Sequence, residues 1–82
     1  MILPYAVYIL RCSDKTHYTG FTRNIQNRLR AHESGEVKYT AQRLPVALIH
    51  VSYFKEKMKA YDFERFLKSG SGIAFRNKRL IS

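Results

Sequence analysis

Hydrophobic and polar positions change their period several times along the chain, and each change marks an expected element. Residues 5–11 read Tyr-Ala-Val-Tyr-Ile-Leu-Arg, a β-branched and aromatic run that predicts a strand. Ser13-Asp14-Lys15-Thr16 is a polar turn, and residues 17–22 return as a second strand, so a hairpin is expected. Ile25, Leu29 and His32 then fall at i, i+4 and i+7, the spacing of one helical stripe. Asn24 suits the N-cap of that helix, which ends near Ser34-Gly35. Residues 36–45 hold no clear period. Their Lys38, Tyr39, Thr40, Gln42 and Arg43 suit a surface loop with phosphate-binding potential. Residues 46–54 form the third strand and the most apolar run. Over about 57–68, Ala60, Phe63, Glu64 and Leu67 share a second helical stripe, which Phe66 widens. Ser69-Gly70-Ser71-Gly72 breaks the chain, and residues 73–81 form a last short helix. The turn before it offers backbone N–H groups to phosphate.

The pattern predicts one α+β domain over residues 1–82, in the order β-β-α-β-α-α. It also leaves polar groups where apolar ones are expected. Arg28 lies on the same side as Ile25 and His32, so the first helix faces either a pocket or, more plainly, solvent. In the plainer reading Arg28 is a solvated edge residue and His32 a last-turn histidine near the helix dipole. Glu64 interrupts a face that otherwise wants burial, and a carboxylate there needs a partner, a metal ion or a cleft. Strand side chains alternate faces, so Tyr8 and Tyr18 share one if, for example, Leu10 pairs with Tyr18. Gly20 would weaken an ordinary strand, which suggests a structural turn or a close approach of backbone or ligand. His50 reads as a structural strand residue.

Charge narrows the class of partner. Fifteen Lys and Arg against six Asp and Glu give +9 on 82 residues, with a pI near 10.1. Such an excess on a chain with 13% aromatic residues points to a folded body that meets a polyanion, nucleic acid first. No apolar run approaches the roughly 20 residues of a spanning helix. Met1-Ile2-Leu3-Pro4-Tyr5 lacks the basic region of a secretion signal, so none is expected. Cys12 is the single cysteine, which excludes an internal disulfide and suits a reducing, cytoplasmic setting.

Taken in order, Ala6-Val7-Tyr8, Tyr18-Thr19-Gly20, Arg28, His32, and Ala60, Glu64 and Lys68 on the distal helix form an ordered set. In this set the chain resembles the GIY-YIG nuclease superfamily in its small stand-alone form, over nearly its whole length. Ala6 stands for the first signature glycine and Thr19 for the second signature isoleucine. The family's late asparagine falls by spacing at Arg76, with Asn77 one residue on. Some relatives carry a lysine after the second triplet, where this chain has Phe21.

The resemblance implies a small three-stranded antiparallel sheet flanked by helices. It also implies phosphodiester hydrolysis with a single divalent ion, Mg²⁺ or Mn²⁺, held by Glu64. Arg28 would stabilise charge on the transferring phosphoryl group. Tyr8 is the first choice for general base, its phenol pKa lowered by metal or Arg28, with His32 the runner-up. Tyr18 and His32 would orient water and phosphate. Arg23, Arg30, Lys38, Arg43, Lys68 and Arg76 are the expected nucleic-acid contacts, with DNA ahead of RNA. The expected protein is an endonuclease acting in repair or on branched or foreign DNA, as a monomer or weak homodimer. The competing expectation is a nucleic-acid-binding module that keeps the scaffold without turnover.

Overall fold

A computed structural model describes residues 3–81, so Met1, Ile2 and Ser82 lie outside the described residues. The elements run β1 (Tyr5–Arg11), β2 (His17–Thr22), α1 (Ile25–Glu33), α2 (Lys38–Ala41), β3 (Ala47–Phe54), α3 (Lys57–Leu67) and α4 (Gly70–Arg79). The three strands form one antiparallel sheet in the order β2-β1-β3. The α+β class and the β-β-α-β-α-α order read from the sequence therefore hold, with one short helix added.

The centre of the sheet explains the density of apolar residues in β1. Ala6 to Leu10 are all buried, because neighbours cover the strand on both faces. Val7 and Ile9 point to one face, where Ala60 and Leu67 of α3 complete the core and Phe21, Phe54 and Phe63 pack around it. By alternation Tyr8 and Leu10 point to the other face, towards α1. β3 is the most apolar run of the sequence, yet as an edge strand it leaves Leu48 and Tyr53 exposed.

The pairing register decides where the chemistry stands. Leu10 pairs with Tyr18 and Tyr8 with Gly20, so both tyrosines share the α1 face. Gly20 lies inside β2 and is not a turn residue. A Cβ there would come within 2.5 Å of the Tyr8 ring, so the glycine makes room for that phenol.

Two boundaries depart from the sequence pattern. Residues 38–41 wind into the one-turn α2 despite the lack of apolar period, since a single turn has no stripe to display. The Ser-Gly-Ser-Gly stretch does not break the chain over 69–72; α4 begins at Gly70. Ser69 caps it by accepting the Gly72 N–H at 3.1 Å. A side chain at Gly72 would overlap the Phe66 carbonyl, so that glycine permits the tight α3–α4 crossing. No helix among the described residues is long and apolar enough to cross a membrane.

Candidate active site

Three elements bring four of the expected residues together. Asn24 caps α1 by accepting the Asn27 N–H at 3.0 Å, which sets the phase of the helix. That phase aims Arg28 and His32 at the sheet. Tyr8 Oη lies 2.8 Å from His32 Nε2 and accepts the Arg28 Nε–H at 3.3 Å. The Tyr18 ring meets His32 edge-on at 4.9 Å and lies 6.1 Å from the Tyr8 ring. Tyr8 and His32 are fully buried, whereas Tyr18 and Arg28 are half-buried and border solvent.

The far side of His32 holds a residue that the sequence assigned elsewhere. Thr40 Oγ1 lies 2.7 Å from His32 Nδ1, and Thr40 is itself fully buried. It was expected on a phosphate-binding surface loop. α2 instead turns its side chain inward. No periodicity in residues 36–45 could have marked it. Its one signal is a small hydroxyl residue next to an aromatic, Tyr39, whose ring stands 5.7 Å from that of Tyr18. Both nitrogens of His32 are thus engaged inside the protein, and the ring meets Tyr8 rather than solvent.

Burial governs the electrostatics of this cluster. The Tyr8 phenol is pushed up to about 12, because desolvation of the phenolate outweighs the Arg28 hydrogen bond. Arg28 lowers the value, as the sequence reading expects, but by less than burial raises it. His32 is held below the ordinary histidine value, by burial first and by the Arg28 charge second. The hydrogen bond to Tyr8 raises Arg28, which stays charged.

Glu64 belongs to α3, the helix whose Ala60 and Leu67 pack against Val7 and Ile9, and its carboxylate is paired with Lys68 at 3.0 Å. The partner that its apolar stripe demanded is therefore the lysine one turn on. The two faces of the sheet meet at the β2 edge. There a cavity of about 270 Å³ is lined by Tyr18, Thr19, Tyr39, Lys68 and Arg76, among others. A second cavity, of about 320 Å³, is lined by Glu64, Tyr61 and Lys68. Lys68 borders both, and links Glu64 to the tyrosine side.

Among the described residues no group of three or more His, Cys, Asp and Glu could hold a metal ion. A single carboxylate still suits Mg²⁺, which keeps several waters and binds through one or two carboxylates plus substrate phosphate. The side chain of Glu64 is 19% exposed, so it is open to such a role once Lys68 yields.

The expected nucleic-acid contacts divide. Lys68 and Arg76 line the cavity beside Tyr18. Lys38 and Arg43 flank Tyr39 in a neighbouring depression, but Arg43 is also paired with Asp14 at 3.1 Å and stacked on the Tyr39 ring. Arg30, on exposed α1, bonds to Asn27, and Arg23 lies over Tyr5. Neither lines the β2-edge cavity. His50 bonds to Ser52 at 2.6 Å, in keeping with a structural role.

The family model for the GIY-YIG catalytic domain matches residues 4–77. A UPF0213 protein of Natronomonas pharaonis is 43% identical over 83 aligned positions, covering 100% of this chain and 95% of that protein. A UPF0213 protein of Syntrophus aciditrophicus is 60% identical over 47 residues, covering 55% of this chain and 54% of that one. The solution NMR structure of a UPF0213 protein from Bacillus halodurans superposes with a TM-score of 0.58 at 34% identity. It covers 90% of this chain and 82% of that one.

Proposed function

The chain belongs to the GIY-YIG catalytic-domain family, and from that premise we propose a divalent-metal-dependent endonuclease that hydrolyses phosphodiester bonds of DNA. The observation that carries this reading is the meeting of Tyr8, Tyr18, Arg28 and His32 beside a basic cavity at the β2 edge. A binding surface needs positive charge and open stacking faces. It does not need a buried phenol bonded to both a histidine and an arginine.

In this reading the scissile phosphate sits at the β2-edge cavity, where Lys68 and Arg76 attract it. Arg28 turns its guanidinium towards the phosphate and so uncovers the Tyr8 hydroxyl on which it now rests. As water attacks phosphorus, its proton passes to the Tyr8 oxygen while the phenol gives its own to His32 Nε2. That relay needs no free phenolate, which suits a phenol held near 12. It makes the base a Tyr8–His32 pair rather than either residue alone. Tyr18, half-buried at the cavity wall, orients the phosphate. Glu64 would hold Mg²⁺ or Mn²⁺, which when bound supplies positive charge to the phosphate and the leaving oxygen. DNA is favoured over RNA, with branched, foreign or damaged DNA as the substrate class, and the reading includes a cytoplasmic monomer or weak homodimer.

One observation favours the alternative of a non-cleaving binder: Arg76 stands where the family's late asparagine falls by spacing. Cleavage of single-stranded, duplex and branched DNA with Mg²⁺ and Mn²⁺ decides between them. Glu64→Gln should cut cleavage by about 10²–10⁴, as for a principal catalytic group, while metal-free binding stays near wild type. A wild-type protein inert with both metals on every substrate would transfer the assignment to the binder.

A further inference from the structure

We propose that Thr40 is a positioning residue that fixes His32 as its Nδ1–H tautomer, leaving Nε2 free to take the Tyr8 proton. Hydrogen-bond direction sets the tautomer. Arg28 Nε–H can only donate, and it donates to Tyr8 Oη at 3.3 Å. The Tyr8 hydrogen is then directed along the 2.8 Å contact to His32 Nε2, the shorter of its two hydrogen bonds, and Nε2 accepts it. A neutral imidazole that accepts at Nε2 carries its hydrogen on Nδ1. Nδ1–H points at Thr40 Oγ1, 2.7 Å away.

The other end of the chain is equally one-way. Thr40 Oγ1 has the Val37 carbonyl at 3.4 Å, a long contact but one in which only the hydroxyl can donate. A pure donor at one end and a pure acceptor at the other set every bond between them in one sense: Arg28 to Tyr8 to His32 to Thr40 to Val37. Tyr8, His32 and Thr40 are all fully buried, so water does not compete for any of these groups. A threonine hydroxyl can reverse, but reversal here would put the hydrogen on Nε2 and leave the Tyr8 hydrogen without this acceptor.

The conformation of α2 serves this one contact. The helix is a single turn, and Thr40 is its one buried residue. The exposed Tyr39 beside it lines the β2-edge cavity and, with Lys38, the neighbouring depression. α2 thus presents a surface to substrate and, from its inner side, a hydroxyl to the base.

The kinetic arm of the test rests on the hydrolase reading; the spectroscopic arm does not. Nitrogen-15 NMR of wild-type protein near neutral pH should show the His32 ring as the neutral Nδ1–H tautomer. A ring found as Nε2–H, or as a mixture of both tautomers, would overturn the proposal without reference to any activity. Thr40→Val removes the hydroxyl and should shift the tautomer balance towards Nε2–H, with kcat down about 10–100-fold, the size seen when an orienting partner is lost. KM should stay near wild type, since Thr40 does not reach the phosphate. Thr40→Ser should restore both the tautomer and the rate. A folded Thr40→Val protein that keeps the Nδ1–H ring would also sink the idea. If the valine variant does not fold, the wild-type and serine spectra still decide the matter. If wild type shows the expected tautomer but no cleavage, the positioning role stands and the nuclease reading falls.

Discussion

Tyr8 sits in β1 as one apolar letter among five, and its chemistry comes from what lies over and beside it. Gly20 opens the space for its ring, while His32 and Arg28 take up its hydroxyl. Gly20→Ala should therefore act through Tyr8. The new Cβ would force the ring aside and break both hydrogen bonds, at a cost of roughly 1–3 kcal/mol. Urea unfolding and cleavage measured on the same preparation test this. A variant with wild-type stability and rate would show that the close approach has no consequence. The phenol also sets an alkaline limit. Its folded pKa, about 12, is raised above the 10.0 of the unfolded chain. The unfolded state then loses its proton first, so this stabilisation is complete below pH 10 and lost between 10 and about 12. Tyr8→Phe should flatten that part of the stability curve.

At the scale of elements, the crossing of α3 and α4 shows why two glycines in one short stretch behave differently. Gly72 lies against the Phe66 carbonyl, whereas nothing stands within 4 Å of a Cβ at Gly70. Gly72→Ala should push the helices apart and lower the melting temperature, costing about 1–3 kcal/mol or more. Gly70→Ala, at the first position of α4, should instead stabilise by roughly 0.4–1 kcal/mol by restricting the unfolded chain. Equal effects of the two substitutions on thermal unfolding would refute this account of the crossing. The same crossing places Arg76 of α4 and Lys68 next to Tyr18. Gly72→Ala should therefore also weaken nucleic-acid binding, by displacing that wall of the cavity.

For the whole molecule, charge and protonation give two further expectations. The net +9 and the basic cavity at the β2 edge should make duplex binding steeply dependent on salt. Four to six neutralised phosphates would give a log–log slope of about −4 to −5, and Arg76→Ala should reduce its size by about 1. Titration at several salt concentrations measures this, and a flat response would argue against nucleic acid as the ligand. His17, His32 and His50 are all held below the ordinary value of 6.5, in each case by burial first. A group with a lowered folded pKa takes its proton first in the unfolded chain. Stability should therefore be full above pH 6.5 and fall as the pH drops through the three folded values. Melting temperatures that rise on acidification below 6.5 would contradict the burial of these rings.

The sequence by itself determined the three strands, the two longer helices before α4 and the order of the chemistry-bearing residues. Period and composition depend on neighbours in the chain, so the hairpin, the first helix and the Glu64 stripe were legible. The ordered set from Tyr8 to Lys68 carried the family. Four things waited on tertiary structure, because each depends on atoms brought from elsewhere. The direction of the Tyr8 shift required knowing that burial there exceeds the pull of Arg28. The place of Thr40 required α2 to fold under α1, a contact between residues 32 and 40 that no helical or strand period encodes. The start of α4 at Gly70 required the Ser69 cap and a neighbouring carbonyl that admits only glycine at 72. The position of Glu64 was decided last of all. Its stripe demanded a partner, and the packed structure supplies Lys68, which also borders the cavity beside Tyr18 at the β2 edge.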